Sequence, residues 1–319
     1  MKSGPWRLIF MGTPQFALPS LEALLAAGEE VAAVVTQPDR PRGRGQIVTA
    51  SPVKELALAW NLPVLQPQRL KDPELIGRFK ALAPEIMIVV AYGRILPHEI
   101  LALPSVGVLN VHASLLPRYR GAAPINWALI RGEKETGVTI QWLRYEVDSG
   151  PIFLQERAPI AAADNFGTLY DRLAERGAAL LVQSLEMLRR GEAVKRPQDV
   201  AAVTLAPPIS REMRRLLWEL SAPEAAGWIR GLDPRPGAYT LWKGRGLRLF
   251  GARVKKSEGS LGDPGTVLRL TPQGLEIACG QGSVTVEALQ LAGHKRLSAD
   301  EFLRGQPRSG RGWSSTIHG

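Results

Sequence analysis

Asn110 and His112 stand one residue apart at the end of the apolar run Val106-Gly-Val-Leu-Asn-Val-His112. Side chains alternate along a strand, so residues two apart face one side with α-carbons roughly 6–7 Å apart. The Asn110 amide offers a neutral N–H donor, and the His112 imidazole accepts or donates a proton near neutral pH. Such a pair suits a reaction in which an oxyanion develops while an amine loses a proton. It would equally well satisfy a buried polar network. A second run, Gly137-Val-Thr-Ile-Gln-Trp142, leads into the turn Val147-Asp148-Ser149-Gly150, from which Asp148 is expected to reach the imidazole and orient it. Asp-Ser-Gly turns are common, so this one gains weight only from the strand end beside it.

A further chemistry-bearing stretch is Gln37-Pro-Asp-Arg40-Pro-Arg42-Gly-Arg44-Gly45, directly after an apolar strand. Prolines and glycines exclude a helix there and let the backbone bend around a ligand. Arginine grips phosphate or reads a guanine edge with two hydrogen bonds. A solvated basic loop has the same composition. The net charge is +10, and residues 201–319 hold 17 Lys and Arg against 10 Asp and Glu. The excess therefore sits in the last third of the chain, and a basic region joined to a nearly neutral one points to a polyanionic partner.

Positioning these residues requires a sheet. Arg7-Leu-Ile-Phe-Met11, Val31-Ala-Ala-Val-Val-Thr36, Ile86-Met-Ile-Val-Val-Ala91 and Val106–His112 are apolar strands, with a helical pattern over Leu18–Ala27 that stops at Gly28. Near-continuous apolar strands alternating with helices indicate a parallel sheet covered on both faces. Ligands of such a sheet bind at the carboxyl ends of its strands. Neither G-x-G-x-x-G nor G-x-x-x-x-G-K-[ST] occurs, which argues against a dehydrogenase. From Gly191 the pattern dissolves into small and polar residues, so residues 191–210 read as a linker. A helix is expected over Arg211–Arg230. Short alternating strands follow at Tyr239–Trp242, Leu247–Gly251, Gly265–Leu270, Leu275–Cys279 and Val284–Leu289. These indicate a small β-barrel. Ser298, with Glu301 three residues on, opens a last helix through a capping box. The expected organisation is thus an α/β catalytic domain over 1–190, the linker, and a barrel domain over 211–319.

Composition excludes several classes. Hydrophobic residues make up 45% and charged residues 22% of the 319, a balance that packs a core. The N-terminal apolar run breaks at Gly12-Thr-Pro14 and reads as a strand and turn, not a signal peptide. The single cysteine, Cys279, forms no internal disulfide, which fits a cytoplasmic protein. The four histidines lie apart with no cysteines at ligand spacing, so no metal site is expected. The eight tryptophans read as core and interface anchors, with Trp242 and Trp313 open as base-stacking platforms.

Asn110-Val-His112 with Ser114-Leu-Leu-Pro117, Arg120-Gly121 and Asp148-Ser-Gly150 resembles the signature of the folate-dependent formyltransferases. Phe10-Met-Gly-Thr-Pro14, Thr36–Gly45 and Ala292-Gly-His-Lys-Arg296 before Phe302-Leu-Arg-Gly305 extend the likeness along nearly the whole chain, and most resemble the tRNA-directed branch. The resemblance implies a Rossmann-like parallel-sheet catalytic domain followed by an OB-like barrel. It implies formyl transfer from 10-formyltetrahydrofolate to the α-amine of methionine carried by initiator tRNA, in a cytoplasmic monomer. Asn110 would hold the formyl oxygen as it becomes an oxyanion, while His112 stabilises that charge and helps move the proton. Asp148 would hold His112 and help take the amine proton. Ser114, Leu115, Leu116 and Pro117, with Val90, Ala91, Tyr92 and Gly93, would line the folate site. Arg40, Arg42 and Arg44 would clamp the acceptor end of the tRNA, with Arg44 reading its first pair. Arg248, Arg253, Lys255, Lys256, Lys295 and Arg296 would meet the tRNA backbone through charge. The chain departs from the family pattern at Arg144, where an acidic residue is frequent, at Gln46-Ile47 in place of lysines, and at Pro208 in place of a basic linker residue.

Two other readings stay open. One is a formyltransferase acting on an amine of a nucleotide-linked sugar or a purine precursor. The other is a non-catalytic RNA-binding protein that keeps the fold as a scaffold; intact Asn110, His112 and Asp148 argue against it.

Overall fold

The computed structural model describes residues 2–42 and 47–304. In chain order it contains β1 (Arg7–Gly12), β2 (Glu30–Val35), the short pair β3 (Arg40–Arg42) and β4 (Ile47–Thr49), β5 (Val64–Leu65), β6 (Ile86–Val90), β7 (Gly107–His112), β8 (Glu135–Trp142) and β9 (Ile152–Pro159). Among these strands lie helices α1 (Leu18–Ala26), α2 (Pro52–Ala59), α3 (Pro73–Ala81), α4 (His98–Leu101) and α5 (Pro124–Ile130). The 24-residue α6 (Phe166–Arg189) follows β9.

Two compact units partition the chain. The first comprises Met1–Ala122, Thr136–Ala158 and Tyr170–Ala206, and the second comprises Ala123–Glu135, Pro159–Leu169 and Pro207–Gly319. The segment read from sequence as a linker thus groups with the first unit as far as Ala206.

A seven-stranded sheet in the order β5-β2-β1-β6-β7-β8-β9 forms the first unit. Its pairs from β5 to β7 are parallel, and β8 joins β7 antiparallel. The architecture is α/β and Rossmann-like. Strand order reverses between β1 and β6, so the carboxyl ends of β1 and β6 flank the crevice where such sheets take ligands, with β7 beside β6. Ile86, Met87, Ile88 and Val90 of β6 are wholly buried. Each side chain so removed from water stabilises the fold by about 1.5–3 kcal/mol. Helix ends follow from local chemistry. The Ser51 hydroxyl accepts from the Lys54 N–H at 3.1 Å to cap α2, and Asp72 accepts from the Glu74 N–H at 3.0 Å to cap α3. On α6, a side chain at Gly177 would meet Val111 Cγ1 at 2.7 Å. The glycine therefore lets the helix lie close under the Val111 face of β7, leaving Asn110 and His112 on the other face.

The second unit adds α7 (Ala222–Leu232), β10 (Ala238–Trp242), β11 (Arg245–Lys256), β12 (Val267–Thr271), β13 (Gly274–Ala278), β14 (Ser283–Leu291), β15 (Leu297–Ser298) and α8 (Ala299–Arg304). Its strands form an antiparallel, OB-like sheet in the order β10-β11-β14-β13-β12, with β15 paired to β14. The strands expected from alternation are found within a few residues. At α8 the capping box is complete. The Ser298 N–H donates to Glu301 at 2.9 Å, and the Glu301 N–H donates to the Ser298 hydroxyl at 3.2 Å.

The helix expected over Arg211–Arg230 is not continuous. A short 3-10 turn covers Glu212–Arg214, and α7 begins only at Ala222. Between them Leu216 is buried, Leu217 exposed and Trp218 buried, the period of extended backbone. The Leu216 N–H donates to the Tyr239 carbonyl at 2.8 Å, and the Trp218 indole donates to the Thr240 hydroxyl at 3.0 Å. Tertiary pairing overrides helical propensity there. Trp242, left open as a stacking platform, is buried edge-on against Phe302 in the core of this unit, whereas Trp313 lies outside the described residues.

Candidate active site

The antiparallel register of β7 and β8 places Asn110 opposite Gln141 and His112 opposite Thr139. Directly opposed residues share a face, so four polar side chains converge beside the crevice. Their burial is deep: Asn110 is 8% exposed, His112 6%, and Gln141 and Thr139 are fully covered. Among the described residues the Asn110 side chain has no hydrogen-bond partner, which leaves its amide available to a ligand oxygen.

Asp148 reaches the imidazole as anticipated. Its Oδ2 lies 3.5 Å from His112 Nδ1, while His112 Nε2 lies 3.0 Å from the Tyr119 carbonyl oxygen. Both ring nitrogens therefore lie beside oxygen acceptors. The Asp148 carboxylate is itself held on two sides. Gly121 N–H donates to Oδ2 at 2.9 Å and Gln141 Nε2 donates to Oδ1 at 2.7 Å. Asp148 occupies the left-handed region with φ of 50°, uncommon for a residue with a side chain. Gly150 is obligatory in this turn, because a Cβ there would sit 1.6 Å from the Trp142 carbonyl oxygen.

The loop after β7 is pinned from β8 and β9. Thr139 Oγ1 donates to the Ser114 carbonyl at 2.6 Å and accepts from the Leu116 N–H at 3.2 Å. Gln155 Nε2 donates to the Leu116 carbonyl at 2.8 Å and to Thr139 Oγ1 at 3.0 Å. Ser114 is buried and donates to the Arg118 carbonyl at 2.6 Å; Leu116 is buried, and Leu115 and Pro117 are half-buried. Gly137 makes room for this packing, since a Cβ there would meet Leu115 Cδ2 at 2.5 Å.

The second expected ligand wall lies past β6. Val90 is wholly buried, whereas Ala91 and Gly93 are exposed with φ of 49° and 79°. Tyr92 differs from its neighbours: its ring enters the apolar cluster with Leu65, Phe79, Leu96 and Ile100, where burial pushes the phenol up from its ordinary pKa. Only its carbonyl turns outward, accepting from Gln37 Nε2 at 2.8 Å and the Thr13 hydroxyl at 3.3 Å.

Of the expected tRNA-binding arginines, Arg40 is exposed on the β3–β4 hairpin, Arg42 belongs to β3, and Arg44 lies outside the described residues. At the hairpin's base Asp39 is held below the usual carboxylate range by hydrogen bonds from Lys54 and Gln66. Arg248, Lys255, Lys295 and Arg296 are all exposed on the second unit. The Arg296 guanidinium stacks 4.1 Å over the Phe250 ring and lies 3.8 Å from Asp233. Among the described residues no group of three or more His, Cys, Asp or Glu is placed to hold a metal ion, and no helix is long and apolar enough to cross a membrane.

Sequence reasoning missed Thr139, Gln141, Gln155 and Gln198. Gln198 lies in the expected linker, yet its Nε2 donates to the Asp148 carbonyl at 2.8 Å and the Gly150 carbonyl at 2.7 Å. Thr139 and Gln141 were recoverable in principle, as the buried-face partners of His112 and Asn110 once the two strands are paired. For Gln155 and Gln198 no spacing signal exists.

Comparison with known proteins places this arrangement. The formyl transferase family matches residues 6–185 and its C-terminal domain matches residues 208–307, so the chain belongs to the formyl transferase family. Over 301 residues it is 48% identical to the methionyl-tRNA formyltransferase of Pelotomaculum thermopropionicum, covering 94% of this chain and 96% of that protein. It is 50% identical to the methionyl-tRNA formyltransferase of Moorella thermoacetica over the same number of residues and the same shares. Among solved structures, the N-formyltransferase of Helicobacter canadensis, in complex with folinic acid and dTDP-3-aminofucose, shares the fold. Its TM-score is 0.65 at 17% identity over 88% of this chain and 98% of that one. HypX from Aquifex aeolicus in complex with tetrahydrofolic acid matches with a TM-score of 0.65 at 20% identity over 94% of this chain. The chain spans only 47% of that longer protein.

Proposed function

We propose that the protein transfers the formyl group of 10-formyltetrahydrofolate to the α-amine of methionine esterified to initiator tRNA, and so supports translation initiation. The observation that carries this reading is the identity of 48–50% with methionyl-tRNA formyltransferases over 94% of the chain. The geometry supplies the chemistry. Asn110 donates its unpartnered amide to the formyl oxygen as negative charge develops. Loss of one such donor typically lowers kcat by about 10²–10³-fold. His112, set between Asp148 and the Tyr119 carbonyl, stabilises that charge and assists proton transfer. Asp148 keeps the ring in place and takes up the proton of the attacking amine. The backbone past β6 and the loop Ser114–Pro117 hold the folate, which supplies the formyl carbon; holding it in line with the amine adds several kcal/mol through proximity.

In the same reading residues 1–190, with residues 191–206 packed into the first unit, carry the catalysis, and residues 211–319 bind tRNA. Arg40, Arg42 and Arg44 grip the acceptor end, and Arg248, Lys255, Lys295 and Arg296 meet phosphates. The protein acts as a cytoplasmic monomer. An acceptor comparison tests this directly: labelled formyl transfer is measured with initiator methionyl-tRNA, with a nucleotide-linked amino sugar, and with a glycinamide-bearing purine precursor. Transfer to the tRNA alone is expected. Preferential transfer to either small amine overturns the reading.

A further inference from the structure

Gln198 is 9% exposed and bridges three parts of the first unit. Its Nε2 spans the catalytic turn by donating to the carbonyls of Asp148 and Gly150. Its Oε1 accepts from Arg120 Nε at 3.0 Å and Nη2 at 2.7 Å. Arg120 is tied to the same segment through its backbone. Its N–H donates to the Thr204 carbonyl at 2.9 Å, and its carbonyl accepts from the Ala206 N–H at 2.8 Å. The next residue, Gly121, donates to Asp148 Oδ2. The turn bearing Asp148 and the loop bearing Arg120-Gly121 are therefore clamped together by residues 198–206.

From this geometry we infer that Gln198, braced by Arg120, is a positioning residue that sets the Asp148 carboxylate on His112; the inference rests on the role proposed above for Asp148. A left-handed non-glycine residue costs about 1–3 kcal/mol and persists only when its surroundings over-determine it. The Gln198 amide supplies part of that constraint by fixing the carbonyls on both sides of Ser149. The separation of 3.5 Å between Asp148 Oδ2 and His112 Nδ1 leaves little slack. Displacing a reacting group by about 1 Å typically lowers the rate about 10²-fold.

A merely structural tether and a positioning residue respond differently to Gln198→Glu. The carboxylate keeps the Arg120 grip, but it sets oxygen against the two carbonyl oxygens that the amide held. The test measures kcat, KM for both substrates and the thermal midpoint for Gln198→Glu and Gln198→Ala, each alone and combined with Asp148→Asn. Both single variants should lose about 10–10²-fold in kcat with KM within about twofold. In the Asp148→Asn background the same changes should cost no more than about threefold, because groups acting through one another are non-additive. Wild-type kcat in Gln198→Glu, or a loss that multiplies with that of Asp148→Asn, overturns the inference. Arg120→Lys, which removes the planar fork, provides a second variant if Gln198→Glu does not fold; it too should lose kcat, and wild-type kcat there overturns the inference. Full activity in Asp148→Asn alone refutes the catalytic role of Asp148 and the inference with it. Loss in Asp148→Asn with intact Gln198→Glu refutes only the inference.

Discussion

Thr139→Val tests how the loop after β7 is held. The substitution is nearly isosteric and fully buried, so it creates no cavity of consequence. It removes the hydroxyl that donates to the Ser114 carbonyl and accepts from the Leu116 N–H. Gln155 still reaches the Leu116 carbonyl. Two buried backbone groups thus lose a partner, and at about 1–3 kcal/mol for each orphaned group the expected loss is about 2–6 kcal/mol. In a unit of this size each kcal/mol lowers Tm by about 2–4 °C, so the midpoint should fall by roughly 4–24 °C. Ser114–Pro117 lines the proposed folate site, so KM for 10-formyltetrahydrofolate should rise about tenfold, equivalent to about 1.4 kcal/mol of lost binding. The value for tRNA should be unchanged. Differential scanning fluorimetry and steady-state kinetics read both quantities. A midpoint within about 2 °C of wild type would refute the hydrogen-bond account of the loop, and an unchanged folate KM would remove this loop from the folate site.

Three further outcomes follow from the same geometry. Gly150→Ala should abolish soluble or active protein, because the added methyl would collide with the Trp142 carbonyl oxygen; a folded, active variant measured by circular dichroism and transfer assay contradicts the turn. Burial pushes the Cys279 thiol up from 9.0 to about 12. Its contribution to stability is therefore complete below about pH 9 and is lost as pH rises towards about 12, where the unfolded chain ionises first. Urea midpoints should fall less between about pH 8 and about pH 10 in Cys279→Ala than in wild type, and equal falls would contradict the buried thiol. If four or more phosphates are contacted, affinity for tRNA should drop about 10²-fold between about 50 and 200 mM salt, read by filter binding; a flat response excludes the charge-driven interface.

The chemistry-bearing centre was legible because it obeys a short-range rule. Asn110 and His112 share a face through the period of a strand, and the apolar runs of β1, β2, β6 and β7 announced a covered parallel sheet. The barrel strands were legible for the same reason, through alternation and turn residues. What failed was anything decided by distant partners. The run Leu216-Leu-Trp218 carries helical propensity, yet its buried-exposed-buried order follows from pairing with Tyr239 and Thr240. Tyr92 sits in a strand-end motif, but its ring is taken by the core behind the sheet. Residues 123–135 follow β7 in sequence yet pack with the second unit, where Trp127 meets Trp228 edge-on. Gln198 is separated from Asp148 by 50 residues, and no local pattern marks a glutamine that holds a turn.

The most direct test of the central claim is transfer of labelled formyl from 10-formyltetrahydrofolate to initiator methionyl-tRNA by the wild type, Asn110→Ala and His112→Ala, with tRNA affinity measured alongside. The account predicts efficient transfer by the wild type and losses of about 10²–10³-fold in kcat in both variants, at unchanged tRNA affinity. Tight tRNA binding without transfer by the wild type, or wild-type rates in either variant, would contradict it.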